Sequence, residues 1–198
     1  MERRRSCCFT GHRPGKLPWG SNEEDPRCVA LKAAIRDAVT TAYDEGYRHF
    51  ICGMARGCDL YFAEAVVALR RERPGVTLEA AVPCPTQSRA WPAAERKRWQ
   101  TLVDASDYET MVQEHYTPDC MLRRNRYMVD HSSLVIAVYD GADGGTRRTL
   151  EYAIAKKVPF VDIHPDGGIR KFCHADTEAP SSRKVLISRK IENLRQIK

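Results

Sequence analysis

Four short segments stand out, and three of them combine small residues with hydroxyl or cationic groups of the kind that hold an anion. The four are Thr10-Gly11-His12-Arg13, Gly53-Met54-Ala55-Arg56-Gly57-Cys58-Asp59, Pro83-Cys84-Pro85-Thr86-Gln87-Ser88 and Tyr139-Asp140 through Gly144-Gly145-Thr146. Glycine lets a ligand approach the backbone, and where a helix begins, free amides and the helix dipole favour negative charge. The Thr146 hydroxyl is placed to bond a phosphate oxygen, and Arg56 adds a guanidinium able to grip phosphate in two places. His12 and Arg13 are candidate ligand contacts, Asp140 a candidate acceptor for ribose hydroxyls, and Arg124-Asn125 a further polar pair. Asp59 and Glu64 are the carboxylates available for acid–base work. Each residue also has a plainer use. The glycines serve tight turns, Asp59 stands where an acid caps a helix, and Trp19 either stacks on a base or anchors packing. Neither GxxxxGK[ST] nor GxGxxG after the first strand is present, so a phosphate site here has to be assembled from several turns.

The elements that position these turns alternate. Strands are expected at Ser6–Phe9, His49–Gly53, Val76–Val82, Tyr108–Val112, Leu134–Tyr139 and Pro159–Ile163. Helices are expected from Asp25-Pro26 to Gly46, from near Asp59, and over Ala93–Ala105, Asp119–His131 and Thr146–Lys157. Strand-helix alternation of this kind predicts an α/β, Rossmann-like open sheet, mainly parallel, with helices on both faces. Leu134–Tyr139, the most apolar run, belongs at its centre. Ligands of such sheets bind at the carboxyl ends of the strands, which is where all four segments fall. The regular pattern spans 1–166 and fades after Asp166-Gly167-Gly168. Residues 167–198 read as a basic extension, either mobile or docked as a helix.

The chain has 198 residues, enough for one domain with its own core. Its net charge is +6, of which +5 lies in residues 181–198, leaving +1 on the preceding 180. Nucleic acid is therefore expected to make only weak, nonspecific contact through the tail. No apolar run approaches the ~20 residues of a membrane span and no secretory leader is visible, so the cytoplasm is the default location and no membrane partner is expected. The eight cysteines show no CxxC knuckle, and His164, Cys173 and His174 match no metal spacing. No metal site is assigned, and Cys7, Cys8 and Cys52 read as small hydrophobes in strands.

Cys7-Cys8-Phe9-Thr10-Gly11-His12-Arg13-Pro14 together with Gly53-Met54-Ala55-Arg56-Gly57-Cys58-Asp59-Leu60 resembles the SLOG superfamily, which includes DprA and the LOG-type phosphoribohydrolases. The nearest likeness is to its small YpsA-like branch, with support from Pro83-Cys84-Pro85, Arg124-Asn125, Tyr139-Asp140 and Gly144-Gly145-Thr146. The resemblance implies a nucleotide or nucleotide-derived ligand, such as a nucleotide sugar, bound across the strand ends by a sensor or regulator. Turnover at a nucleotide ribosyl bond and DprA-like single-strand DNA binding stand as alternatives, and assembly as a homo-oligomer is left open. LOG enzymes carry PGGxGTxxE, whereas Thr149 stands here where that glutamate would be. DprA also has domains beyond those seen in this chain.

Overall fold

The computed structural model describes residues 5–173. Its sheet is built from β1 (Ser6–Thr10), β2 (His49–Cys52), β3 (Thr77–Val82), β4 (Tyr108–Met111), β5 (Leu134–Val138), β6 (Phe160–Ile163) and β7 (Ile169–Cys173). Connecting them are α1 (Pro26–Asp44), α2 (Cys58–Glu72), α3 (Ala93–Asp104), α4 (Cys120–Asp130) and α5 (Gly145–Ala155). The first six strands are parallel and follow the order β4-β3-β2-β1-β5-β6, with β7 outside β6. This is the expected α/β Rossmann-like fold. No described helix is long and apolar enough to cross a membrane.

Local chemistry explains the boundaries. Asp25 caps α1 by accepting the Arg27 N–H at 2.9 Å, and Pro26 supplies the first helical residue. Side chains along each strand alternate between two cores, as period-2 geometry requires. Cys7, Phe9, Ile136 and Val138 join the larger cluster with residues of α1 and α2. Cys8, Val135 and Ala137 join the smaller one with Met128, Val129, Leu150 and Ala153 of α4 and α5. Both faces of the sheet are covered, which is why β1 and β5 are buried along their whole length. The cysteines at 7, 8 and 52 are free and fully buried.

Beyond residue 166 the structure adds what the fading pattern did not reveal. The chain turns at Gly167 and returns as β7, antiparallel to β6. Ile169-Arg-Lys-Phe-Cys is too short an alternation among polar neighbours to read as a strand by itself. The pairing partner makes it one. The basic tail, with the expected linker and helix, lies outside the described residues, as does His174.

The strand order reverses between β1 and β5, which pair directly, Thr10 opposite Ala137. Crossovers on the two sides of that point leave in opposite directions, opening a crevice at the strand ends.

Candidate functional site

A cleft of about 360 Å³ occupies that crevice. Its walls come from the end of β1 and the turn after it (Thr10, Gly11, His12, Arg13, Lys16), the turn after β2 and the first turn of α2 (Ala55, Asp59), α4 (Met121, Arg124, Asn125, Met128) and the start of α5 (Gly144, Gly145, Thr146). Residues more than 130 positions apart in sequence thus share one cavity because the β1–β5 pairing brings their strand ends together.

The deepest polar part of the wall is a buried network. Arg124 and Asp59 are 4% and 3% exposed, with Nη1 and Oδ2 4.0 Å apart. Arg124 Nη1 donates to the Gly53 carbonyl and Nε to Asn125 Oδ1 at 2.8 Å. Asn125 Nδ2 donates to Thr149 Oγ1 at 2.8 Å, and Thr149 donates to the Gly145 carbonyl, also at 2.8 Å. One chain of hydrogen bonds therefore ties the turn after β2 to the first turn of α5. Gly53 suits this arrangement, since a Cβ there would lie 2.9 Å from Arg124 Nε and closer still to Cζ and Nη1. Gly57 is required for its backbone, with φ +82° and a Cβ position 2.8 Å from the His12 carbonyl. Asp59 also accepts the Ala55 N–H at 3.0 Å. Burial pushes its carboxyl up, opposed by Arg124 and by that amide.

The rim is cationic. Arg13 and Lys16 are exposed and line the cleft, and Lys16 Nζ donates to the Asp143 carbonyl just before α5. Buried His12 places Nε2 2.9 Å from Asp140 Oδ1. Burial alone would raise Asp140, but the Ala142 N–H and His12 hold it below the usual carboxylate range. At Gly145 a Cβ would meet nothing within 4 Å. The start of α5 thus has open space beside Gly145 and lines the cleft, and the first amides of a helix are groups that stabilise an anion.

Other candidates lie elsewhere. Arg56 forms an ion pair with Glu95, including Nη2 to Oε1 at 2.6 Å, and lines a neighbouring cavity of about 500 Å³. Glu64 is held by Arg98, Nε to Oε1 at 2.6 Å and Nη2 to Oε2 at 2.8 Å, and is not in the cleft wall. Pro83 is buried and Tyr139 half-buried, and neither lines the cleft. Asp140 is not in the cleft wall itself but bonds two residues that are, His12 and Ala142. Trp19 is 7% exposed and packs in the larger core. Asp59 is the one carboxylate among the described lining residues. Sequence reasoning passed over Lys16, Met121 and Met128. Lys16 follows Arg13 by three residues, a spacing at which a 3-10 turn stacks side chains on one side. The position of the LOG-type glutamate is filled by Thr149, already committed to Asn125 and Gly145.

Comparison with known proteins follows the same lines. Residues 7–160 match the model of the YspA SLOG family. The chain is 32% identical to the uncharacterized SPbeta prophage-derived protein YoqJ of Bacillus subtilis (strain 168), over 72% of this chain and 92% of the relative. It is 22% identical to a UPF0398 protein of Lysinibacillus sphaericus (strain C3-41), over 79% of this chain and 86% of that one. Among solved structures it is similar to DNA processing protein A from Helicobacter pylori, described for its unique single-stranded DNA binding mode, with TM-score 0.56, 16% identity, and coverage of 96% of this chain and 78% of that chain. Similarity to DNA processing protein A from Streptococcus pneumoniae has TM-score 0.54 and 16% identity, covering 80% of this chain. This chain spans half the length of that protein. At such identity the structural likeness is one of fold. The family match covers both strand-end motifs and the whole parallel sheet through the start of β6, and on that ground the chain belongs to the YspA SLOG family.

Proposed function

We propose that this protein is a cytosolic sensor or regulator that binds a nucleotide or nucleotide-derived ligand in the β1–β5 cleft. The observation that carries the reading is the convergence of the open first turn of α5 with Arg13 and Lys16 over a floor already neutralised by the Arg124–Asp59 pair. A phosphate placed there would accept hydrogen bonds from Gly145, Thr146 and the cationic rim. The arrangement favours binding over turnover. Hydrolysis at a ribosyl bond needs a carboxylate free to act on substrate or water, but Asp59 is tied to Arg124 and Ala55, and Thr149 replaces the helix glutamate.

Thermal unfolding in the presence of nucleoside mono- and diphosphates tests the proposal. A ligand at 100 times its Kd stabilises the native state by about 2.7 kcal/mol, a clear rise in Tm. No rise with any nucleotide at millimolar concentration refutes the cleft as a nucleotide site. Release of base or ribose phosphate, abolished by Asp59→Asn, would make the protein an enzyme instead.

One observation favours a second reading, single-stranded DNA. The cleft adjoins the second cavity, and Arg13 lines both while Arg56 lines the second, so cationic groups follow one another as along a strand. The H. pylori neighbour shares the fold and is described as a single-strand binder. Binding of an oligonucleotide by the chain truncated after residue 173, with a steep loss on adding salt, would support this reading over the first.

A further inference from the structure

The second cavity has a different chemistry from the first. Where the first offers amides and cations, the second adds to Arg13 and the Glu95-paired Arg56 an aromatic wall, half-buried Trp91, and the carboxamide of Gln87. The two cavities share Arg13, Ala55 and Met121, so one extended ligand can occupy both.

Two features indicate what the second cavity takes. Trp91 is held in place by Trp99, edge to face at 6.4 Å and 78°, and by its backbone N–H, which donates to the Ser88 carbonyl at 3.0 Å. An aromatic wall fixed in this way suits stacking with a flat ring. Gln87 is 7% exposed. Its Nε2 donates to the carbonyls of Gly53 and Met54 at 3.0 and 3.1 Å, which fixes the carboxamide's orientation. Its Oε1 is then left buried without a hydrogen-bond partner among the described residues. A buried acceptor without a donor is costly and uncommon. A ligand N–H reaching it, with a small shift of the side chain, would satisfy it.

We propose that the second cavity is a base subsite: the ligand is a nucleotide whose phosphate lies at the start of α5 and whose amino-bearing base crosses Arg13 to stack on Trp91 and donate to Gln87 Oε1. This inference rests on the reading of the first cavity as a phosphate site, and it adds where the base sits and which bases are accepted.

Calorimetry with the full chain distinguishes the two claims. The probes are AMP, ribose 5-phosphate and purine riboside 5′-monophosphate, which keeps the purine but lacks the amino group. AMP should bind about tenfold or more tighter than ribose 5-phosphate, since stacking on an aromatic side chain contributes at that level. Trp91→Ala should remove most of that advantage and leave ribose 5-phosphate affinity unchanged. Trp91→Phe should retain much of it, and the Tm of each unliganded variant checks folding. Purine riboside 5′-monophosphate should bind several-fold weaker than AMP. If AMP and ribose 5-phosphate bind equally, with both weakened alike in Arg13→Ala, the base subsite is overturned while the phosphate site stands. If neither binds the wild-type chain, both fall. An oligodeoxyadenylate that outcompetes AMP and owes its advantage to Trp91 would overturn the free-nucleotide proposal and assign the subsite to a strand.

Discussion

Replacing Gly53 by alanine should eject the Arg124 guanidinium from the wall of the cleft, although the change adds one methyl group. The new Cβ would stand 2.9 Å from Nε and nearer still to Cζ and Nη1, so the guanidinium must move. Arg124 is 4% exposed, and its present place is set by its bonds to the Gly53 carbonyl and Asn125. Its departure leaves Asp59, 3% exposed, without its counter-ion. Removing one partner of a buried ion pair costs about 3–5 kcal/mol. Gly→Ala in an unconstrained turn would instead change stability by less than about 1 kcal/mol. The mechanism makes a sharper demand through a double-mutant cycle. Arg124→Ala alone should also cost about 3–5 kcal/mol, but Gly53→Ala added to it should cost almost nothing, because the guanidinium is already gone. Denaturant unfolding gives all three values from midpoints at constant m. A single-mutant cost for Gly53→Ala below about 1 kcal/mol, or costs that add in the double mutant, would refute the assignment of Gly53 to Arg124.

Four further outcomes follow from the same structure. Arg124→Ala should regain stability on acidification relative to wild type, because the folded Asp59 carboxyl is raised by burial and the penalty for its charge is lifted as pH falls through that folded value; equal slopes in the two proteins would exclude Asp59 as the group responsible. Glu79 behaves oppositely: although burial opposes it, hydrogen bonds from His49, Tyr127 and Thr110 hold its carboxyl low, so its contribution is present above the unfolded carboxylate pKa and lost as pH falls through the folded value. Glu79→Gln should cost about 1–3 kcal/mol at neutral pH and flatten the acid limb of a stability–pH curve. Thr149→Val keeps the shape but leaves the buried Asn125 amide without its acceptor, for about 1–3 kcal/mol in denaturant unfolding. Arg13→Ala should lower nucleotide affinity by roughly tenfold, as loss of a charge-assisted hydrogen bond does, with Tm unchanged because Arg13 is exposed; Arg56→Ala, its cation already paired with Glu95, should lower it less.

The elements and their order were legible because they depend on local periodicity. The continuous apolar runs Cys7-Cys8-Phe9 and Leu134–Val138, the Asp25-Pro26 start of α1 and the glycines ahead of α2 and α5 each declare themselves within a few residues. The position of the four chemical segments at strand ends followed from that order. What sequence could not supply were partners fixed by crossovers. Arg124, within a run of charges that reads as a solvated helix face, is instead buried because α4 packs against β1 and β3 and places that residue beside Gly53 and Asp59. Arg56 and Glu64 looked free to serve a ligand, yet Glu95 and Arg98 claim them from α3, more than thirty residues along. β7 needed β6 beside it before five residues could count as a strand. Type and spacing of residues determined which groups could do chemistry at the strand ends. Only the tertiary structure decided which remain uncommitted, because a charged side chain is spent or available according to neighbours that the topology, and not the local sequence, brings within hydrogen-bond distance.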